Sequence, residues 1–149
     1  MALADNKKVF FDYEVLDEYE AGIELLGLEV KSLRKHGAVM DGAYVTIRGG
    51  EAYILQMSIP PYQPANTPAD YDPLRIRRLI LNKAEIRELA DTESGKGLTI
   101  VPIRVYNKGP KIKVAVAVVR GKKKFDKRAS IQKRETDRDI RRTLKGQKE

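Results

Sequence analysis

Residues 98–119 read LTIVPIRVYNKGPKIKVAVAVV, two runs of alternating apolar residues separated by Asn107-Lys108-Gly109-Pro110. Ile112, Val114, Val116 and Val118 recur at period two, which places them on one face of a strand. Asn, Gly and Pro between the runs supply turn chemistry, so Leu98 to Tyr106 and Lys111 to Val119 are expected to pair as a hairpin. Outward from this stretch the same period continues. A second hairpin is expected from about Tyr44 to Met57, turning at Gly49-Gly50, where two glycines supply the positive φ angles of a tight turn. A third is expected near the N-terminus: Val9, Phe11, Tyr13 and Val15 alternate, the polar pair Asp17-Glu18 follows, and Tyr19, Ala21, Ile23 and Leu25 alternate again.

Two short helices interrupt the strand pattern. One is expected from about Glu29 to His36, with Val30 and Leu33 on one face, Glu29 at the N-terminal dipole and Gly37 at its end. The other runs from about Lys83 to Ala90, opened by Asn82 with Glu85 three residues on as a capping pair. Pro60, Pro61, Pro64, Pro68 and Pro73 crowd one loop, from Ser58 to Leu74, and exclude regular structure there. The reading is a mainly β chain: an antiparallel, closed or nearly closed oligonucleotide-binding-like barrel with two or three short helices. An open antiparallel sheet backed by helices is the alternative.

The 149 residues hold 29 Lys and Arg against 21 Asp and Glu, a formal charge of +8. Residues 1–119 carry 16 of each sign and cancel; residues 120–149 carry 13 basic against 5 acidic residues and hold the whole excess. Large apolar residues in that last stretch are few, Phe125, Ile131, Ile140 and Leu144, so it cannot offset its ordering entropy alone. Two parts are therefore expected: a barrel over 1–119 and a basic tail over 120–149, disordered when free and helical on a polyanion. Nucleic acid is the expected partner class.

Several chemistries are excluded or poorly supported. With no cysteine there is no disulfide, thiolate nucleophile or Cys-based zinc site. His36 is the only histidine and has no triad partner at a motif spacing. No phosphate-loop or dinucleotide fingerprint occurs, and Gly95-Lys96-Gly97 reads as a turn. The acidic run Asp12, Glu14, Asp17, Glu18, Glu20 and Glu24 resembles a carboxylate metal site only in composition, because alternation turns Glu20 and Glu24 outward. The expectation is no enzyme, no cofactor and no metal. The longest apolar run, Val114 to Val119, is far short of a membrane span, and no secretory signal is read, so the cytoplasm is expected. In the tail, Gly121-Lys-Lys-Lys-Phe-Asp-Lys-Arg128 combines phosphate-neutralising cations with an aromatic ring for base stacking.

Taken together, Asn6-Lys7-Lys8, Tyr13, Tyr19-Glu-Ala-Gly22, Gly27-Leu-Glu-Val-Lys-Ser-Leu-Arg34, Asp72-Pro-Leu-Arg-Ile-Arg-Arg-Leu-Ile-Leu-Asn-Lys83 and Gly121 to Arg128 resemble the small protein B, or SsrA-binding protein, family. The resemblance runs from about Asn6 to the C-terminus in the family's order. It implies an adaptor of trans-translation that binds the tRNA-like domain of transfer-messenger RNA and delivers it to stalled ribosomes, one monomer per RNA. Implied partners are the small ribosomal subunit with its rRNA and, through the RNA, elongation factor Tu with GTP and alanyl-tRNA synthetase. The family's pattern associates Asn6, Tyr13, Glu20, Ile80 and Asn82 with the RNA-binding surface; Lys7, Lys8, Lys31, Arg34 and Lys83 are added as basic neighbours. Gly121, Lys122, Lys123, Phe125, Asp126, Lys127 and Arg128 are matched to the tail that acts at the decoding centre. Phe125 stands where the family often has histidine or tyrosine, and Val9-Phe10-Phe11 where it usually has basic residues and a histidine. A structural ribosomal protein or a general single-stranded RNA-binding protein is the competing reading.

Overall fold

A computed structural model describes residues 2–95 and 97–121. Seven antiparallel strands form one sheet: β1 (Ala2–Asp5), β2 (Tyr13–Ile23), β3 (Tyr44–Arg48), β4 (Glu51–Leu55), β5 (Arg77–Ile80), β6 (Leu98–Lys108) and β7 (Lys111–Gly121). Their order is β1-β6-β7-β2-β5-β4-β3. The chain is mainly β, as expected, and curls into a barrel whose hydrogen-bonded ladder stays open. β3 packs against β6 without a ladder, and α3 (Lys83–Glu93) lies against both strands at that seam. From α3 the Glu93 carboxylate accepts from the edge N–H of Ile47 at 3.3 Å, which gives a strand edge a partner other than another strand.

The hairpin of residues 98–119 is longer than the alternation suggests: β6 runs to Lys108 and β7 to Gly121, and Gly109 at φ 61 makes the turn with Pro110. The second hairpin turns at Gly49 and Gly50, with φ of 58 and 76. The N-terminal hairpin is not there. Val9 lies in a short helix, α1 (Lys8–Asp12), and β2 passes through Asp17-Glu18 without reversing, paired with β7 from Tyr13 opposite Gly121 to Gly22 opposite Lys113. Asp17-Glu18 lacks the Gly or Asn that a tight reversal requires. It instead follows a bulge, in which Val15 faces Val119, Asp17 faces Val118 and Leu16 is the extra residue. β1 has no counterpart in the sequence reading; its four residues pair with β6 and are too few to show a period.

The bulge shifts the parity of β2. Tyr19, Ala21 and Ile23 face the main core with Leu33, Ile54, Leu79, Leu89, Val105, Val114 and Val116, whereas Tyr13 and Val15 join a second cluster on the outer face with Val9, Val101, Ile103, Ala115, Ala117 and Val119. β6 carries a matching bulge at Ile103. The β6–β7–β2 sheet therefore buries apolar residues on both faces.

α2 (Gly27–His36) ends at Gly37, φ 77, as the sequence suggests. Its Glu29 does more than meet the helix dipole. The carboxylate is fully buried, accepts from the Leu26 N–H at 2.8 Å, and binds Arg75 and Arg77 at 2.6 Å each. Burial pushes the Glu29 carboxyl up, but hydrogen bonds from Arg75, the Leu26 N–H and Arg77 outweigh that and hold it below the usual range. The proline-rich loop contains one 3-10 turn, Pro64–Asn66, and is tied to α2 and to this cluster. Ser32 donates to the Pro60 carbonyl at 2.5 Å, and Tyr71 donates to the Ile59 carbonyl at 2.8 Å.

Candidate nucleic-acid interface

Outward-facing residues of β2, β7 and β6 stand in rows set by the ladder. Gly22 is opposite Lys113 and Lys113 opposite Tyr106; Glu20 is opposite Ala115 and Ala115 opposite Arg104. Because Ala115 is small, the Tyr106 ring crosses β7 and its hydroxyl donates to Glu20 Oε2, two strands away. Lys108 Nζ donates to Glu20 Oε1 at 2.8 Å. Both oxygens of this exposed carboxylate are thereby held from β6. The Lys108 and Tyr106 hydrogen bonds keep the Glu20 carboxyl below its ordinary range, against a smaller desolvation effect. Partial burial and the Glu20 bond push the Tyr106 phenol up to about 12, so it stays neutral and donating at physiological pH. The Arg104 guanidinium sits over the Tyr106 ring, 5.7 Å from its centroid.

Ile80 on β5 extends this face. It pairs with Gly22, whose missing side chain leaves room for it: a Cβ on Gly22 would stand 3.2 Å from Ile80 Cβ. Half of Ile80 is solvent-exposed, unusual for an isoleucine on a strand. Two residues on, Asn82 caps α3. Its side chain accepts from the Glu85 N–H at 2.8 Å while Glu85 accepts from the Asn82 N–H at 3.3 Å, the capping pair read from the sequence; Lys83 follows, exposed. Glu20, Ile80, Asn82 and Lys83 thus flank one end of the outer face.

Asn6, Lys8 and Tyr13 line a separate cleft of about 300 Å³ beside α1. Asn6 is buried there, its Nδ2 donating to the Met40 carbonyl at 3.3 Å and to the Pro102 carbonyl at 3.1 Å. The family-matched asparagine is thus tied inward to two carbonyls. Lys7 is exposed, and Lys8 lies 3.7 Å from Asp41. On α2, Arg34 donates to the Pro110 carbonyl at 3.0 Å, at the β6–β7 turn; Lys31 is exposed and lines a different cleft with Tyr62 and Thr67, apart from the outer face. Gly121 ends β7, and Lys122, Lys123, Phe125, Asp126, Lys127 and Arg128 lie outside the described residues.

Sequence reading missed Arg104, Tyr106, Lys108 and Lys113. Their signal was present: in 98–119 the polar residues alternate as regularly as the valines, and the strand that sends Val105 and Val114 inward must send Tyr106 and Lys113 outward. Among the described residues no group of three or more His, Asp or Glu side chains could hold a metal ion, and no helix is long and apolar enough to cross a membrane.

Residues 3–146 match the SmpB protein family. This chain belongs to that family. The SsrA-binding protein of Thermosipho melanesiensis is 48% identical over 145 residues, covering 97% of this chain and 98% of that protein. That of Elusimicrobium minutum is 47% identical, covering 97% and 92%. Among solved structures, a chain from the work titled "tmRNA-SmpB: a journey to the center of the bacterial ribosome" superposes with a TM-score of 0.68 at 38% identity, covering 86% of this chain and 93% of that one. SmpB relatives of this similarity align along nearly the whole chain, so both the barrel and the basic terminal stretch fall within the family's length.

Proposed function

We propose that this chain is an RNA-binding adaptor of trans-translation, not a catalyst, and that its barrel holds the tRNA-like domain of transfer-messenger RNA. The observation that carries the reading is the outer face of β2–β7–β6 and β5. Family-matched Glu20, Ile80 and Asn82 lie beside the cations Arg104, Lys108 and Lys113 on a body whose total charge is zero. Local cations beside polar and apolar groups suffice for recognition by shape and backbone contact. The two parts have separate tasks: residues 1–119 recognise the RNA, and residues 120–149 act on the small ribosomal subunit, with Asp126, Lys127 and Arg128 at the decoding-centre step. Elongation factor Tu with GTP and alanyl-tRNA synthetase are reached through the RNA, one monomer of this chain serves one RNA, and the complex works in the cytoplasm.

The test is equilibrium binding of the full chain and of residues 1–121 to the tRNA-like half of transfer-messenger RNA, at two salt concentrations with ordinary tRNA as competitor. Tight, selective binding by both, with a shallower salt slope for the shorter chain and loss of peptide tagging on stalled ribosomes, is the expected result. Unselective binding by the full chain alone overturns the assignment.

A further inference from the structure

Arg104 differs from most arginines of this barrel. Arg48, Arg75, Arg77, Arg78 and Arg120 each hold a glutamate within 4 Å, and Arg34 holds a backbone carbonyl. Arg104 has no ion pair among the described residues; its recorded partner is the Tyr106 ring beneath it. It is exposed, in the middle of the outer face, opposite Ala115, with the half-buried Lys113 one strand across. Tyr106 in turn does not float. One edge packs on the Val101, Ile103 and Ala115 cluster, and its hydroxyl is fixed by Glu20.

We infer that Arg104 is a contact to the RNA backbone, presented as a pre-oriented guanidinium on the Tyr106 ring, and that Glu20 is a positioning residue acting through Tyr106. The inference rests on the RNA-binding reading above and adds to it which group meets the RNA. A guanidinium held over a ring loses less freedom when its five N–H donors engage phosphate oxygens, and its planar fork matches them in pairs. Glu20 suits the positioning task better than direct contact. Its carboxylate is anionic, faces a polyanion, and has both oxygens already engaged by β6.

The experiment is binding of the full chain to the tRNA-like half of transfer-messenger RNA by wild type, R104A, R104K, E20A, Y106F and the E20A/R104A double variant, over a salt series, with thermal unfolding as the check on folding. R104A should weaken binding about three- to tenfold and lower the salt slope by about one. R104K should restore the slope but only part of the affinity. E20A and Y106F should each lose affinity, and the double variant should lose little more than R104A, because Glu20 works through the same guanidinium. Unchanged affinity and slope in R104A overturn the inference, and additive losses in the double variant overturn the positioning role of Glu20. Selective binding by wild type with an unaffected R104A removes this inference alone, whereas a wild type without selectivity removes the function it rests on.

Discussion

Arg77 on β5 and Glu29 on α2, 48 residues apart in sequence, are both fully sealed from solvent and joined at 2.6 Å. Arg77 also donates to the carbonyls of Met57 and Pro73, and Arg75 covers the second carboxylate oxygen. One charge centre thereby gathers a helix, a strand and both ends of the proline-rich loop. Its donors and acceptors are matched, which is the condition under which a buried ion pair is tolerated.

Removing one partner leaves the other buried and uncompensated. Arg77→Ala should destabilise the chain by about 3–5 kcal/mol in urea unfolding at pH 7. The same cluster sets a pH dependence. Glu29 titrates lower in the folded chain than its ordinary range near 4.3, so its stabilising effect is complete above that range and is lost as pH falls toward its folded value. Glu29→Gln should be less stable than wild type at pH 7 and show a flatter loss between about pH 5 and 3. A wild-type stability independent of acid over that interval contradicts the account.

Gly37 closes α2 with φ 77, and a Cβ there would stand 2.9 Å from the Leu3 carbonyl oxygen of β1. Gly37→Ala meets both a left-handed backbone and a backbone clash. A loss of about 1–3 kcal/mol is expected in thermal or denaturant unfolding. Gly42, also at positive φ but with open space around it, should cost less when changed to alanine.

Asn82 has two readings that one pair of variants separates. Asn82→Ala should cost about 1 kcal/mol through the lost cap of α3, while Asn82→Ser, which can cap, should stay near wild type in unfolding. If the carboxamide also meets RNA, as the family pattern implies, both variants lose affinity for the tRNA-like domain although only one loses stability.

Ala115 lies beneath the Tyr106 ring. Ala115→Leu should lift the ring from β7, break its bond to Glu20, and cost about 1–3 kcal/mol in overpacking. Spectrophotometric titration provides the readout: the phenol now pushed up to about 12 should ionise near the ordinary tyrosine value of about 10. An unchanged tyrosine titration would show that the ring does not depend on the small residue.

What the sequence made legible was set by local signals. Two hairpins, both principal helices, the Asn82–Glu85 cap and the Gly37 stop each announce themselves within a few residues, by period two, a turn glycine or a capping side chain. The N-terminal reading failed for the same reason in reverse. A bulge at Leu16 keeps the local alternation and changes only which face it points to, and Asp17-Glu18 looks like a break in a strand that in fact continues. Buried charges were illegible because nothing local distinguishes Arg77 from its half-exposed neighbour Arg78; the difference is a partner 48 residues away. Of the candidate interface, family-matched positions located one end of the outer face, while Arg104 and Tyr106 emerge only when β6 and β2 are set on either side of β7.

The extra residue in β2 works as a reading frame for the strand. Tyr13 and Val15 belong to the outer cluster only because Leu16 occupies a place with no partner on β7. Were Leu16 drawn into a regular ladder while Tyr19 and Glu20 kept their places, Tyr13 and Val15 would turn into the barrel and the outer cluster would lose their cover. A strand lacking Leu16 altogether would instead keep Val15 opposite Val119, Asp17 opposite Val118 and every side chain on its present face. What is encoded at this point is the place where the strand changes phase, and a pattern of odd-numbered apolar residues that runs unbroken past it gives no sign that the face has changed.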